Sequence, residues 1–501
     1  MAVAKNFASY GIWGVTKYGF TSATSSILWP ALLAGLFKIL GPKELIPFVL
    51  NIIFATSTLI LINYVLKKYA GNIKFYNFFI FIVLVAVIFF TPMIPLIFTG
   101  MENILQIFLT VAFVYKSARI LSEKKSGKSE LLLLLILAAL LTLNRYENSF
   151  TIIAVGLMFV IYKRKLQALF LFLAGSIPLI LYGIISKIQG WYFLPNSLVL
   201  KSVFLKNPMS TTNTLFLTLG KLLSIIYSPH LLILFILSAF LLILIVKNKT
   251  KNRNTNFTVI ILSVFCINLI LHILFAQTGW FYRYEAYLIV LGLFGISLGI
   301  SLYLENIQNL KIDKGYIPKK NVFKYLIIVI FICILMTPMV NMGYESITSV
   351  PQASKNIYEQ QYQMALFLKE YYQGETVGLN DIGVINYNDD IKCLDLWGLA
   401  SFEVAEKREE GKYGVTEISD MVKNNNVSVI IIYNYTLGNN IPPDWIKVGE
   451  WEIKDNVACG DSVVLFYAPN PKNETYLREK LRMFSSKLPK DVEQSGEYLV
   501  N

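Results

Sequence analysis

Apolar residues fall into long, uninterrupted runs through the first two-thirds of this chain. Several runs approach the roughly 20 residues that a helix needs to cross a bilayer, and none has the one-sided apolar stripe of a helix in a soluble bundle. The pattern therefore predicts a polytopic α-helical membrane protein with about ten membrane-spanning helices. These are residues 44–66, 75–91, 103–122, 131–143, 149–162, 167–186, 230–247, 257–276, 283–303 and 323–341.

Two weaker apolar stretches lie outside this set, at residues 26–40 and 214–228. Both are short, and counting either of them as a crossing would break the alternation of basic loops along the chain. We therefore interpret each as an interfacial or re-entrant helix.

Lysine and arginine concentrate in the loops that follow every second predicted crossing: 67–74, 116–128, 163–165, 247–253 and 311–324. By the positive-inside rule these loops lie in the cytoplasm. The opposite, extracytoplasmic face then carries the remaining loops, among them 92–102, 144–148, 187–229 and 277–282, together with everything from residue 342 onward.

Residues 342–501 have a different pattern, in which polar and apolar residues mix. Runs rich in β-branched and aromatic residues at 427–433 and 461–467 are typical of strands, and helical patterns occupy 355–371 and 403–424. We predict a soluble extracytoplasmic α/β domain at 342–501. It follows a transmembrane domain at 1–341, in which residues 1–43 form an outer loop and an interfacial helix.

Composition supports this division. The chain is 55% hydrophobic with a mean hydropathy of +0.55, above the usual range for soluble domains. Residues 1–341 hold 30 Lys and Arg against 8 Asp and Glu, a net charge of +22, whereas 342–501 hold 15 against 24, a net charge of −9. The basic excess sits in short loops, where it sets topology and faces anionic lipid, so it does not indicate a nucleic-acid partner.

The four cysteines say little about chemistry. Cys266 and Cys333 lie in apolar helices, where a buried thiol is the ordinary situation. Cys393 and Cys459 lie in the acidic tail, where they either pair in an oxidising compartment or remain separate core thiols.

Carboxylates are rare before residue 342, and four of the eight lie at the outer ends of predicted helices: Glu44, Glu102, Glu147 and Glu285. A charge at the centre of a membrane helix costs about 2.5–3.5 kcal/mol, so acids near the hydrocarbon edge are usually functional or paired. Three of the four stand in polar clusters, which are TGMEN at 99–103, NRYEN at 144–148 and GWFYRYEAY at 279–287. A fourth outer cluster, WYFLPNS at 191–197, is followed by Lys201.

These residue types suit a lipid-phosphate sugar. Arginine binds phosphate bidentately, a carboxylate serves as general base for an acceptor hydroxyl, and Tyr and Trp stack on sugar rings. Each cluster also has a structural alternative. Glu44 and Glu102 could simply favour a helix N-terminus, Arg145 and Glu147 could form a local salt bridge, and the aromatic residues around Arg283 could belong to an interfacial belt.

The order of these motifs resembles the C-type (GT-C) membrane glycosyltransferases, in particular the branch that contains the terminal arabinofuranosyltransferases of mycobacterial cell walls. LNDIG at 379–383 and CLDLWGL at 393–399 are similar to that branch as well. The resemblance implies a GT-C-like fold and inverting transfer of a sugar from a polyprenyl-phosphate donor to an acceptor glycan, lipid or protein outside the cytoplasm.

Site roles follow from this hypothesis. Glu102 and Glu147 are the catalytic candidates, which orient the acceptor or the arginines. The donor phosphate and sugar would be bound by the basic, aromatic and amide residues of the outer clusters, with Glu285 beside them: Arg145, Arg283, Lys201, Asn196, Tyr284 and Glu285.

The resemblance also shows a departure. The family has a first transmembrane helix followed by an outer loop with one or two aspartates, the base that activates the acceptor. This chain has the continuation of that loop, AVAKNFASYG at 2–11 and TSSILW at 24–29, without the helix or the aspartates. We expect the native reading frame to extend upstream of Met1, unless the chain is a degenerate homologue.

Two other functions remain open. A transporter or flippase for a lipid-linked saccharide would place ionisable groups near the midplane and show inverted repeats, and a polysaccharide polymerase or ligase would use similar outer arginines. In each case the expected partners are lipid-linked saccharides and membrane lipids at the plasma membrane. No metal ligands are assigned, since His230 and His272 lack sequence neighbours that would complete a site, although a divalent cation is compatible with the class.

Overall fold

The computed structural model describes residues 1–70, 73–123, 127–200, 220–247, 252–279, 283–313 and 336–499. It divides into two compact units. The helical unit comprises Glu44–Ile180 and Met209–Thr348, and the sheet unit comprises Met1–Lys43, Leu181–Pro208 and Ser349–Asn501. Residues 1–43 and 181–208 therefore group with the C-terminal residues, and the division into domains at residue 342 stays a prediction.

Nine of the ten predicted crossings are helices: Leu45–Ala70, Tyr76–Phe90, Asn103–Ser122, Lys128–Asn144, Ser149–Ile161, Lys165–Ile188, Pro229–Lys247, Arg253–Phe275 and Ala286–Asp313. The tenth, 323–341, lies largely outside the described residues, and 336–348 are helical. A short helix, Met93–Phe98, precedes the TGMEN motif.

Within the described part of the chain, six helices are long and apolar enough to cross a membrane, which is compatible with a multi-pass membrane protein: Leu45–Tyr69, Asn103–Ser122, Lys165–Ile188, Pro229–Lys247, Arg253–Phe275 and Ala286–Glu305. Their burial differs strongly. In Asn103–Ser122 and Ala286–Glu305, 83% of the apolar window is buried, against 28% in Pro229–Lys247. These two most buried helices, Asn103–Ser122 and Ala286–Glu305, pack against each other and form the interior of the helical unit.

The two weaker stretches have different outcomes. Residues 28–40 form a 13-residue helix, Leu28–Leu40, which is shorter than a membrane crossing. Stretch 214–228 lies partly outside the described residues, and its described end includes a 3₁₀ turn at Ser224–Tyr227. The interfacial or re-entrant position of both stays a prediction.

The C-terminal residues form a six-stranded sheet, which confirms the predicted small sheet domain. Its strands are β1 (Thr376–Leu379), β2 (Lys392–Asp395), β3 (Val427–Tyr433), β4 (Ile446–Glu452), β5 (Val463–Ala468) and β6 (Glu493–Gly496). The strand order is β2-β1-β3-β5-β4-β6. Strand β1 pairs in parallel with both β2 and β3. The pairings of β3 with β5, β5 with β4 and β4 with β6 are antiparallel.

Strand β3 is apolar from residue 429 to residue 432, where both faces of the sheet are covered. Val429 and Ile431 belong to one core, which also holds Trp451, whereas Ile430 and Ile432 belong to the core on the opposite face. This alternation follows from the two-residue period of a strand.

Helices flank the sheet. The helical pattern at 403–424 forms two helices, Phe402–Glu409 and Val415–Asn424. The break contains Gly411 at φ +69°, a left-handed conformation that glycine adopts without steric cost. The helix expected over 355–371 is observed as Val350–Ile357, a π-helical turn at Tyr358–Tyr362 and Gln363–Tyr371. The final helix of the domain is Pro471–Ser485.

The N-terminal segment packs within the sheet unit. Its helix, Ala2–Tyr10, is joined to the α/β fold by an apolar cluster of Val3, Val15 and Ala400. Lys5 donates a hydrogen bond to the carbonyl of Tyr387. These contacts join the N-terminal helix to residues more than 380 positions later in the sequence.

The described cysteines are all free: Cys266, Cys393 and Cys459. Of the two alternatives for the tail cysteines, the structure has separate thiols. Burial raises the pKa of the Cys459 thiol to about 12, so this side chain acts as a small core residue rather than a nucleophile. Cys333 lies outside the described residues.

Candidate functional site

Arg145 is the centre of a buried ion cluster in the helical unit. Its Nη1 lies 2.9 Å from Glu102 Oε1, and its Nη2 lies 2.9 Å from Glu147 Oε1. A third bond joins Nε to Glu147 Oε2 at 3.3 Å. The Arg145 side chain is 5% exposed, and its fork binds one carboxylate bidentately and a second one end-on. The local salt bridge that we weighed as an alternative is therefore formed, with an additional partner far away in sequence.

Two amides explain why NRYEN folds into this turn. Asn144 Nδ2 donates to the carbonyl of Glu102 at 3.3 Å, which ties the end of Lys128–Asn144 to the start of Asn103–Ser122. Asn148 donates from Nδ2 to the Leu141 carbonyl at 2.6 Å and accepts at Oδ1 from Gln106 Nε2 at 2.9 Å. The two motifs are therefore joined by backbone and amide contacts as well as by charge.

Arg283 is the second arginine of the site, and its environment differs. Its guanidinium carbon lies 5.1 Å from the centre of the Tyr284 ring, and Nη2 donates to the Tyr284 hydroxyl at 3.2 Å. Nη1 contacts the Met101 thioether at 3.0 Å, a weak acceptor. Nε is buried and has no acceptor among the described residues, which also give Arg283 no carboxylate partner. Its hydrogen-bonding capacity is therefore only partly used.

Tyr284 connects the two arginines. Its ring centre lies 5.5 Å from the guanidinium carbon of Arg145 as well as 5.1 Å from that of Arg283, both within cation–π range. Arg145 contacts both Glu102 and Glu147, whereas the described residues give Arg283 no carboxylate contact. Arg283 is therefore the arginine of the pair that has hydrogen-bonding capacity left for a further anion.

Glu285, predicted to lie beside the donor, contacts the protein itself, and its role toward a donor stays a prediction. Its side chain is fully buried, and its two oxygens accept from the amide of Gly279 at 3.1 and 3.0 Å. Nε2 of His230 lies 3.5 Å from Glu285 Oε1. The carboxylate therefore connects Glu285 to Gly279, and these two residues lie on either side of Arg283 in the sequence. The histidine beside it was not predicted, because its partner is 55 positions away in sequence.

A second buried network was also missed. His272 Nε2 faces the Gln277 carbonyl at 3.1 Å, so this nitrogen carries a hydrogen and Nδ1 accepts from the Tyr287 hydroxyl at 3.1 Å. Asn268 Nδ2 donates to Thr151 Oγ1 at 2.8 Å. Asn268 and His272 are four residues apart and share a helix face, a spacing that could have identified them. Across the described residues, no group of three or more His, Cys, Asp and Glu is arranged to hold a metal ion.

Two predicted site residues are not described with this cluster. Asn196 belongs to the sheet unit, where it is fully buried. Its Nδ2 donates to the Gly398 carbonyl at 2.9 Å, and its main-chain amide donates to Ser22 at 2.9 Å. These contacts join WYFLPNS to CLDLWGL, so Asn196 stabilises the sheet unit. Lys201 lies outside the described residues.

The CLDLWGL motif forms a backbone turn around Asp395. Its carboxylate accepts from the amides of Trp397 at 2.8 Å and Ala400 at 2.7 Å. Burial raises the pKa of Asp395 to about 6, against the opposing effect of these amides. Arg408 stacks on the Trp397 ring at 4.3 Å. The motif is therefore explained by the local fold.

Comparison with known proteins adds one similarity. The model of a family described as a domain of unknown function, DUF8728, matches residues 355–467, which lie in the sheet unit and include strands β1 to β4 and most of β5. No curated protein matches the chain. The match covers less than a quarter of the sequence and none of the arginine cluster.

Proposed function

We propose that this protein is a C-type membrane glycosyltransferase of the plasma membrane. It transfers a sugar, with inversion, from a polyprenyl-phosphate donor to an acceptor glycan, lipid or protein on the extracytoplasmic face. The observation that carries the proposal is the state of Arg283. This guanidinium has a buried N–H without an acceptor and no carboxylate partner among the described residues, next to a compensated arginine at the ends of two interior helices.

Arg283 is the residue assigned to the donor phosphate. A phosphate oxygen satisfies a guanidinium N–H and places a negative charge beside the guanidinium in one contact. Stacking on Tyr284 orients the plane of the fork. Arg145, in contrast, already has three bonds to carboxylates, and its role is to hold Glu102 and Glu147 in place.

The two glutamates differ in access. The Glu147 side chain is 20% exposed, whereas that of Glu102 is 8% exposed. We therefore assign the acceptor hydroxyl to Glu147 and the buried support of Arg145 to Glu102. A carboxylate bound to a guanidinium is a weaker proton acceptor than a free one, so orientation of the acceptor is the main contribution of Glu147.

The position of the charges favours a transferase over a flippase. Arg145, Arg283 and the two glutamates lie in segments that precede or link helices, whereas transporters place ionisable groups along the pathway near the midplane. An outward-facing site is supported by the alternation of basic loops along the sequence, which is the positive-inside signal. A polymerase or ligase would differ in the length of its product.

The proposal is tested by reconstituting the full protein in proteoliposomes with a defined polyprenyl-phosphate sugar and measuring transfer. Arg283→Ala is expected to abolish it. The matched control is Arg253→Ala, since Arg253 also stacks on a tyrosine, with its guanidinium carbon 5.4 Å from the Tyr69 ring, and has a carboxylate partner in Glu123. Wild-type transfer by Arg283→Ala would refute the assignment. Translocation of the lipid without transfer would identify a flippase.

A further inference from the structure

We propose that Asn103 and Glu285 are positioning residues that hold Arg283 ready for an anionic lipid phosphate. The inference rests on the proposed function, in which Arg283 binds that phosphate. Neither residue need touch the ligand. They act on the main chain of the segment that carries the arginine.

Asn103 holds Arg283 from one side. Its Nδ2 donates to the main-chain carbonyl of Arg283 at 2.9 Å, across 180 positions of sequence. Asn103 is fully buried at the first turn of Asn103–Ser122. Its neighbour Glu102 binds the side chain of Arg145. Two consecutive residues at one helix start therefore determine the positions of both arginines, one through a side chain and the other through the backbone.

Glu285 holds the same segment from the other side. Both of its oxygens accept from the Gly279 amide, so the bond joins two residues that bracket Arg283. Gly279 has φ +92°, a conformation that other residues adopt only with strain. His230 Nε2, 3.5 Å away, is the polar group that faces the buried carboxylate from the helix Pro229–Lys247.

This arrangement matters because the Arg283 side chain itself is weakly held. Its side-chain partners are a thioether and the hydroxyl of the adjacent tyrosine. Fixing the main chain at two points reduces the ordering that must accompany binding, which is how preorganisation increases affinity. Loss of either contact retains the Arg283 guanidinium but leaves its orientation less well fixed.

The test measures binding of a polyprenyl monophosphate to the full protein in nanodiscs, together with amide hydrogen exchange of the peptide around Arg283. Asn103→Leu and Glu285→Ala are expected to weaken binding about tenfold, the effect of losing roughly one hydrogen bond's worth of free energy. Both should also accelerate exchange. Glu285→Gln should restore most of the affinity, because its amide oxygen still accepts from Gly279.

Asn254→Leu is the matched control, since Asn254 Nδ2 donates to the Tyr69 carbonyl at 3.3 Å in the same unit. It should leave both readouts unchanged. If Glu285→Ala does not fold, Gly279→Ala replaces it, because the added Cβ meets no atom within 4 Å and strains only the backbone.

The outcomes separate the two proposals. If the wild type binds and Arg283→Ala does not, unchanged affinity in Asn103→Leu and Glu285→Ala overturns the positioning role. If the wild type does not bind the lipid, the proposed function fails. Hydrogen exchange then decides the positioning role alone, and unchanged exchange in these variants overturns it.

Discussion

Arg145 Nη1 lies 2.9 Å from Glu102 Oε1, although 43 positions separate the two residues. Both side chains are almost completely buried, at 5% and 8% exposed. The pair joins the NRYEN turn to the start of an interior helix. Because a buried charge without its partner is costly, this contact is expected to contribute to stability as well as to the site.

Removing Glu102 should therefore destabilise the protein strongly. We expect Glu102→Ala to lower the free energy of unfolding by about 3–5 kcal/mol, since Arg145 loses one of its two counter-charges in a buried position. Thermal unfolding in detergent measures the change. The control is Glu123→Ala, whose carboxylate is 28% exposed beside Arg119 and whose loss should cost about 0–1 kcal/mol. Equal shifts in the two variants would contradict the buried-pair interpretation.

Glu147 should behave differently from Glu102, because its side chain is the more exposed of the two. Glu147→Gln keeps the size and one acceptor for Arg145 but loses the charge that orients an acceptor hydroxyl. We expect the rate of sugar transfer to fall at least tenfold while donor affinity stays within about threefold. Steady-state kinetics with a defined donor separate the two effects. A loss confined to donor affinity would move Glu147 to the donor site.

Arg283→Lys should retain the charge but lose the planar fork that stacks on Tyr284. We expect donor binding weaker by about tenfold, without a comparable loss of thermal stability, because no carboxylate of the described chain depends on this residue. Binding of a polyprenyl monophosphate in nanodiscs provides the measurement. Full affinity in the lysine variant would show that charge alone is sufficient.

Adjacent aspartates of the sheet unit should respond to pH with opposite signs. Burial raises the pKa of Asp389 to about 8, only partly offset by Lys369 and Lys5, and neither carboxylate oxygen has a hydrogen-bond partner in the part of the chain that the structure describes. A raised native pKa means that the folded state binds more protons than the unfolded state between the unfolded value and about 8. Stability from this group is therefore present at low pH and declines as pH rises through that window.

Asp389→Asn should remove this dependence and stabilise the protein above pH 8 by an amount on the order of a few kcal/mol. Burial acts on Asp390 too, but Lys17 at 2.5 Å and the Tyr18 hydroxyl at 2.9 Å hold its pKa below the usual range. The contribution of Asp390 to stability is lost as pH falls. Asp390→Asn should therefore reduce the dependence of stability on pH in the acidic range. Melting temperatures measured from pH 4 to 9 test both, and a common sign would contradict the assignment.

The helices of this protein were largely predictable from sequence. Residues 103–122 and 427–433 have the predicted bounds and type, because apolar length and β-branched composition are local properties. The break between 402–409 and 415–424 depends on glycine conformation. The sequence does carry a signal for that break, because Gly411 and Gly414 stand between the two helices and glycine is common just past a helix end.

The chemistry of the site was predictable only as a set of residue types. The sequence placed Glu102, Arg145, Glu147 and Arg283 at helix ends, which a charge in an apolar run must reach to avoid the hydrocarbon. The tertiary structure decided which arginine is compensated, that Asn103 holds the Arg283 backbone, and that Asn196 belongs to the sheet unit. These pairings depend on how helices pack and on which buried polar groups remain to be satisfied, and neither is encoded in the spacing of residues along one segment.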